Sequence, residues 1–357
     1  MENLAAISND TGTKPMHYSV VKIGPFQLIM SKKQAFTYFT LLCSVCLLAA
    51  YSVTVGKLNI GLNEVWSIVS GEVTQGFKQR VVMNIRLPRI TTALFVGAAL
   101  GVSGAIFQSL SRNALGSPDI IGFTTGAASG AIAQIVLFEQ SGLAVSVSAI
   151  GGGLATAVIV YLLSRQYGRV GGYRLILIGI GVGSILSALN SLMLVKGHID
   201  SAITANLWLA GSLHARTWQH ALPVLAGVVL LVPAATYFAR RLSLIEMGDD
   251  LAKQLGVNVE TTRLLMLFIA VILAALATGA AGPISFIALA APQLIARLIG
   301  GGQILIIGSA LMGAILLISA DLISQLLPFD FSLPIGTMTG LIGGVYLLFL
   351  LAQRRDL

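Results

Sequence analysis

Nine uncharged, largely apolar runs dominate this chain and leave it few places to fold other than a lipid bilayer. Between successive charged residues lie 34–56, 90–111, 120–138, 140–164, 175–195, 217–239, 264–296, 298–320 and 331–353. Crossing about 30 Å of hydrocarbon takes about 20 apolar residues in a helix. Eight runs have 19 to 25 residues, one crossing each. The ninth, 264–296, has 33 and is interrupted by Gly279, Gly282 and Pro283, so it reads as two helices joined at Ala281-Gly282-Pro283, the second short. The sequence therefore predicts an all-α integral membrane protein of about ten transmembrane helices. Its 10% of charged residues, against about 25% in soluble domains, agrees.

The basic residues supply a direction. With a cytoplasmic N-terminus, 15 Lys and Arg fall on the inner side and 7 on the outer, the bias expected of cytoplasmic loops, so both termini are assigned to the cytoplasm. The net charge of +8 is mostly this bias; nucleic-acid binding would need a basic face on a soluble module, and none can be cut out. Residues 1–33 read as a cytoplasmic N-terminal segment, 34–353 as one transmembrane domain and 354–357 as a cytoplasmic tail. The first run is longer than the apolar core of a signal peptide and should remain as a helix, with Cys43 and Cys46 as packing residues. On the outer side, 58–71 reads as a short amphipathic helix, and 203–209 is apolar enough to lie in the interface or dip back. The longest inner loop, 240–263, alternates charged and apolar residues as a short helix–turn–helix would.

Several chemistries lack the residues to carry them. No G-x-x-x-x-G-K-[ST] phosphate loop, H-E-x-x-H pair or nucleophile elbow occurs. His198, His214 and His220 share an outer stretch, but their spacing fits no metal site. Proton-coupled transporters bury carboxylates or histidines near the midplane; only Asp321 qualifies here, at the outer end of its helix, as a hydrogen-bond acceptor to a neighbouring helix or an ion site. Glycines four apart (Gly97 with Gly101, Gly126 with Gly130, Gly179 with Gly183, Gly340 with Gly344) permit close helix packing or line a path for a bulky solute. With neither motor nor ion relay, the chain needs another source of power.

Arg86-Leu-Pro-Arg89, Gly97-Ala-Ala-Leu-Gly101-Val-Ser-Gly104-Ala-Ile-Phe-Gln108 and Arg112-Asn-Ala-Leu-Gly-Ser-Pro-Asp119 follow one another at the second run. Further on stand Glu246-Met-Gly-Asp-Asp250 with Leu255-Gly256, Ala281-Gly-Pro-Ile-Ser-Phe-Ile287 and Leu333-Pro-Ile-Gly336. In this order the motifs resemble the membrane subunits of iron–siderophore, haem and cobalamin ABC importers, the FecCD type, over about residues 80 to 350. Gly104–Leu110, Gly116–Asp119, Leu175–Gly181 and Gly211–Leu213 look most like permeases for catecholate siderophores such as ferric enterobactin. Two departures stand out: Pro292-Gln293 where the family often has Pro-His, and Asn113-Ala114-Leu115 where it usually has Asn-Pro-Leu.

The resemblance implies a type II ABC importer permease fold in the bacterial cytoplasmic (inner) membrane. The expected partners are ATPase subunits that hold ATP and Mg, a second and different permease chain, a periplasmic siderophore-binding protein and lipid; this chain itself would hold no cofactor or metal. Three regions then carry function. Lys78, Arg80, Arg86 and Arg89 crowd the outer side; they are headgroup anchors, or, as the family implies for Arg86 and Arg89, a docking surface for acidic residues of the binding protein. The loop with Glu246, Gly248, Asp249, Asp250, Leu251, Leu255 and Gly256 is a plain connector or the coupling element that fits a groove on the ATPase. There Gly248 would turn sharply, Asp249 or Asp250 would cap a helix, and Leu251 and Leu255 would lie on its buried side. Gln108, Asn113, Gln134 and Asn190 satisfy interhelical hydrogen bonds or line a weakly polar path. By resemblance, Asn113 and Leu115 sit at a cytoplasmic constriction facing Gly171-Gly172.

The reading is thus the permease subunit of an ABC importer for a ferric siderophore of catecholate type, with no ATPase site of its own. The nearer alternative is a homodimeric permease for haem or cobalamin. An ion-coupled secondary transporter and a membrane-embedded enzyme are more distant, for want of buried carboxylates and of a catalytic constellation.

Overall fold

The computed structural model describes residues 18–353 except 24–25, 57, 73–75, 167–168, 171, 301–303 and 328–332. Two short antiparallel hairpins, β1 (Tyr18–Ile23) with β2 (Phe26–Ser31) and β3 (Arg165–Gln166) with β4 (Arg169–Val170), are the strands among the described residues. The first hairpin lies in the segment expected only to be polar. Helices α1 (Lys32–Thr54), α2 (Leu62–Val69) and α3 (Phe77–Val81) lead through a π-helical turn, Val82–Arg86, into α4 (Leu87–Ser111). A short 3-10 turn, Pro118–Ile121, precedes α5 (Phe123–Val136) and α6 (Leu143–Ser164). Then come α7 (Gly172–Lys196), α8 (Ile199–Leu209), α9 (Trp218–Glu246), α10 (Asp249–Gln254), α11 (Val259–Ala281), α12 (Ile287–Ile299), α13 (Ile306–Leu326) and α14 (Ile335–Gln353).

Seven helices are long and apolar enough to cross a membrane: α1, the continuous helix Phe77–Ser111, α6, α7, α9, α11 and α13. The remaining expected spans fall on α5, of 14 residues, on α12, of 13, and on α14. The long run divides where Ala281-Gly282-Pro283 ends α11, and 58–71 does hold a short helix, α2.

Helix α4 forms the centre. It is buried along most of its length and packs against α13, α11, α9 and α12. Backbone approach makes this possible: a Cβ on Gly97 would fall on the carbonyl of Gly313, and one on Gly104 on that of Ala288. Gly126 and Gly130 press in the same way on α6, whereas Gly340 and Gly344 face open space. Spacing by four thus marks a capacity for close packing that only some pairs use. Around this centre, α7 and α9 expose Ile180, Ile185, Leu189, Val229 and Leu230, a surface suited to lipid. Cys43 and Cys46 are exposed on α1 instead of packed.

The entry to α4 differs from expectation. Proline is well tolerated in the first turn of a helix, so Pro88, just ahead of the uncharged run from 90, suits a helix start there; the helix begins eleven residues earlier, at Phe77. Proline has no N–H to continue the ladder. The chain answers with the π turn, in which the Leu87 N–H donates to the Val82 carbonyl. The next carbonyl, that of Met83, would need the missing Pro88 N–H; it accepts the Trp218 indole N–H at 2.9 Å instead.

Segments distant in sequence knot together at the opposite end of the bundle from α10. The Ser212 N–H donates to the Ala281 carbonyl at 2.8 Å, Ile335 to Gly211 and Gly336 to Ala210, both at 3.1 Å. A Cβ on Gly211 would strike the Pro283 carbonyl. The Gly211, Gly282-Pro283 and Pro334-Ile-Gly336 motifs are therefore one backbone cluster, which explains why glycine and proline recur there.

Candidate functional site

The loop from α9 to α11 is short because α9 runs on to Glu246. Gly248, with φ 135°, opens α10, and Gly256, with φ 79°, closes it, both in conformations that suit glycine. Neither Asp249 nor Asp250 caps the helix: Gly248 holds the cap position and the two carboxylates stand in the first turn, where they oppose the helix dipole's positive end. The expected buried face is also corrected. Ala252 packs with Ile245 and Val259, while Leu251 and Leu255 are 41% and 58% exposed and Met247 is 70% exposed. The inward side of this small helix must be narrow, so alanine fits it and the leucines point away.

Asp249 receives two arginines from different helices. The Arg112 guanidinium at the end of α4 donates to its Oδ1 at 2.5 Å, and Arg263 of α11 donates to Oδ1 at 3.2 Å and Oδ2 at 3.1 Å. Arg112 also donates to the Ile245 carbonyl in the last turn of α9 at 2.6 Å, and Arg263 pairs with Glu260 at 3.1 Å. Burial pushes the Asp249 carboxyl up, but hydrogen bonds and charge from Arg263 and Arg112 outweigh it and hold it below its ordinary value. Its pairing is therefore present above the ordinary aspartate range and is lost only as pH falls through that lowered value.

Arg112 leads into the turn Asn113–Leu115. It is left-handed, φ 50°, and the Asn113 side chain accepts from the Leu115 N–H at 2.9 Å. From the other side, the Gln293 amide of α12 donates to the Ala114 carbonyl at 2.6 Å, and Gln108 donates to the Leu289 carbonyl at 3.0 Å. The two departures from the family wording, Ala114 and Gln293, thus touch each other. Gln108, Arg112, Asn113, Glu246 and Ser309 line a cavity of about 360 Å³ between the ends of α4, α9, α12 and α13.

Other expected path residues lie elsewhere. Asn190 is buried on α7 and donates to the Thr125 carbonyl at 3.4 Å; Gln134 accepts from Ser148 at 3.0 Å and donates to Gln140. The first two join α7 and α6 to α5, and the third ties α5 to the loop that follows it. Leu115 is exposed, Gly172 starts α7, and Gly171 lies outside the described residues. Arg112, Arg263 and Gln293 were not singled out as functional from sequence. Arg112 opens one of the family motifs and Arg263 ends the inner loop, but nothing in the neighbourhood of either announces a common partner.

The outer arginines turn inward, which corrects their expected presentation. Arg86 is 7% exposed and donates to the carbonyls of Val53 at 2.6 Å, Thr54 at 3.1 Å and Leu58 at 2.5 Å, closing the C-terminal end of α1. Arg89 forms a fork on Asp321 of α13, at 2.8 and 3.1 Å, and Gln325 adds a third donor at 2.8 Å. Arg86 is the last residue of the π turn. Arg80 is exposed, and Lys78 pairs with Glu64 at 2.7 Å with both half-exposed.

Residues 42–353 match the FecCD transport family. The chain belongs to that family. It is 46% identical over 314 residues to the ferric enterobactin transport system permease protein FepG of Escherichia coli (strain K12), covering 88% of this chain and 94% of the relative. The probable siderophore transport system permease protein YfhA of Bacillus subtilis (strain 168) is 33% identical over 93% of this chain and 98% of its own length. Among solved structures, one described as a metal-chelate type ABC transporter in an inward-facing conformation aligns with TM-score 0.78 and 29% identity over 89% of this chain and 99% of its own. As a FecCD chain with seven helices able to span, the protein is a multi-pass inner-membrane permease.

Proposed function

We propose that this chain is one permease subunit of an ABC importer that carries a ferric siderophore of catecholate type from a periplasmic binding protein into the cytoplasm. The similarity to the ferric enterobactin permease, 46% against 33% for the Bacillus siderophore relative, carries the substrate class. All ten apolar helices cross the membrane in this reading, with both termini, α10 and the Arg112 turn on the cytoplasmic side. The exposed apolar side chains in and beside α10, Met247, Leu251 and Leu255, support docking on an ATPase subunit that binds ATP and Mg. A second, different permease chain completes the channel.

Uptake in cells lacking their own permease pair tests this directly. With the companion permease, ATPase and binding protein co-expressed, iron delivered as ferric enterobactin should enter, and iron delivered as a ferric hydroxamate or haem should not. Replacing the lysine of the ATPase phosphate loop should stop uptake. Haem uptake by this chain without a second permease would overturn the reading in favour of the homodimer, and uptake abolished only by a protonophore would overturn ATP coupling.

A further inference from the structure

We infer that Arg112 is a positioning residue that ties α10 to the Asn113–Leu115 turn through Asp249, so that movement of the loop reaches the turn directly. The inference rests on the coupling role proposed for α10. Three contacts carry it. One guanidinium nitrogen of Arg112 reaches both the Asp249 carboxylate and the Ile245 carbonyl, so it holds the first residue of α10 and the last turn of α9 at once. The Arg112 backbone is left-handed and pinned by its own N–H to the Ser109 carbonyl, while Asn113 N–H reaches Gln108, which leaves little slack between side chain and turn. The adjoining residue, Ala114, is held from α12 by Gln293. The turn is therefore suspended between two sets of helices, with α10 on one side and α12 on the other.

Arg263 does a different job. It joins Asp249 to α11 and pairs with Glu260. Ordinary structural pairing would make the two arginines equivalent, each adding stability. A positioning role sets Arg112 apart, because it alone of the two carries the residue before the turn.

The test uses the complex that co-purifies with the tagged full chain, reconstituted in liposomes. Arg112→Ala and Asp249→Asn should each leave the ATPase subunits bound and the complex melting near the wild-type temperature, yet lower uptake at least tenfold. The double variant should be no worse than the poorer single, since Asp249→Asn already breaks the link to Arg112 along with the pairing to Arg263. Arg112→Gln can still donate to the Ile245 carbonyl but forfeits the ion pair, and it should show the same loss; it decides the matter if Arg112→Ala fails to accumulate. Wild-type uptake by Arg112→Gln, additive losses in the double variant, or a loss of uptake matched by a lowered melting temperature would overturn the inference. Failure of the underlying coupling role reads differently: Leu251→Ser with Leu255→Ser would then keep the ATPase bound and uptake normal.

Discussion

At the residue scale, a charge inside this bundle is defined by what it is given to hold. Arg86 holds three carbonyls left over where α1 ends, and hydrogen bonds to charged groups contribute about 1.5–3 kcal/mol each. Arg86→Met should therefore destabilise the protein by about 3 kcal/mol, read as a lower melting temperature in detergent and a smaller membrane yield. Arg89 and Asp321 form a pair with little exposure on the acid's side, and removing one member of such a pair costs about 3–5 kcal/mol because the other is stranded. Asp321→Leu should consequently be worse than Arg89→Met with Asp321→Leu, measured by the same melts; equal losses would mean the pair is not coupled. Asp321 could be read in sequence as an acceptor for a neighbouring helix. Its partner could not, since Arg89 lies 232 residues away and looked like an outer-surface cation.

At the element scale, composition exposes the helices but conceals how they begin and meet. Each of the seven helices long and apolar enough to cross a membrane, among the described residues, overlaps an uncharged run, because lipid imposes one rule on all of them. The upstream start of the α4 helix was hidden by Lys78, Arg80 and Arg86, which look like loop residues. The π turn depends on Pro88 together with a tryptophan from α9, a pairing with no local signature. Trp218→Phe should cost about 1 kcal/mol, the worth of one hydrogen bond. In a Pro88→Ala background the new N–H can serve the Met83 carbonyl, and Trp218→Phe should then be nearly neutral. Melting curves of the four proteins check this cycle, and an equal cost in both backgrounds would show that the indole does not compensate for the proline.

For the whole molecule, the question is which charges face a partner outside. Counting lysines and arginines on a linear map puts seven cations on the outer side, four of them crowded between Lys78 and Arg89, but folding withdraws two of those four into the bundle, Arg86 under α1 and Arg89 against α13. Lys78 and Arg80 remain outward, with Lys78 shared with Glu64. Exposed charges of this kind act mainly on the encounter rate and lose their reach beyond about 10 Å in 0.1 M salt. If a binding protein docks electrostatically on this side, Lys78→Glu with Arg80→Glu should slow its association several-fold at low salt, with the difference from wild type shrinking as salt is added and with normal membrane yield. Arg86→Glu with Arg89→Glu should behave oppositely. It sets a carboxylate among the carbonyls of Val53, Thr54 and Leu58 and another beside Asp321, so the protein should fail to accumulate, and no charge reversal on the binding protein should rescue it. Association rates from surface-captured complexes, taken with quantitative immunoblots of membranes, separate the two outcomes. Normal accumulation of the second variant, with slowed association that a reversed binding protein restores, would return the docking role to Arg86 and Arg89 and would require both side chains to leave the partners they hold here.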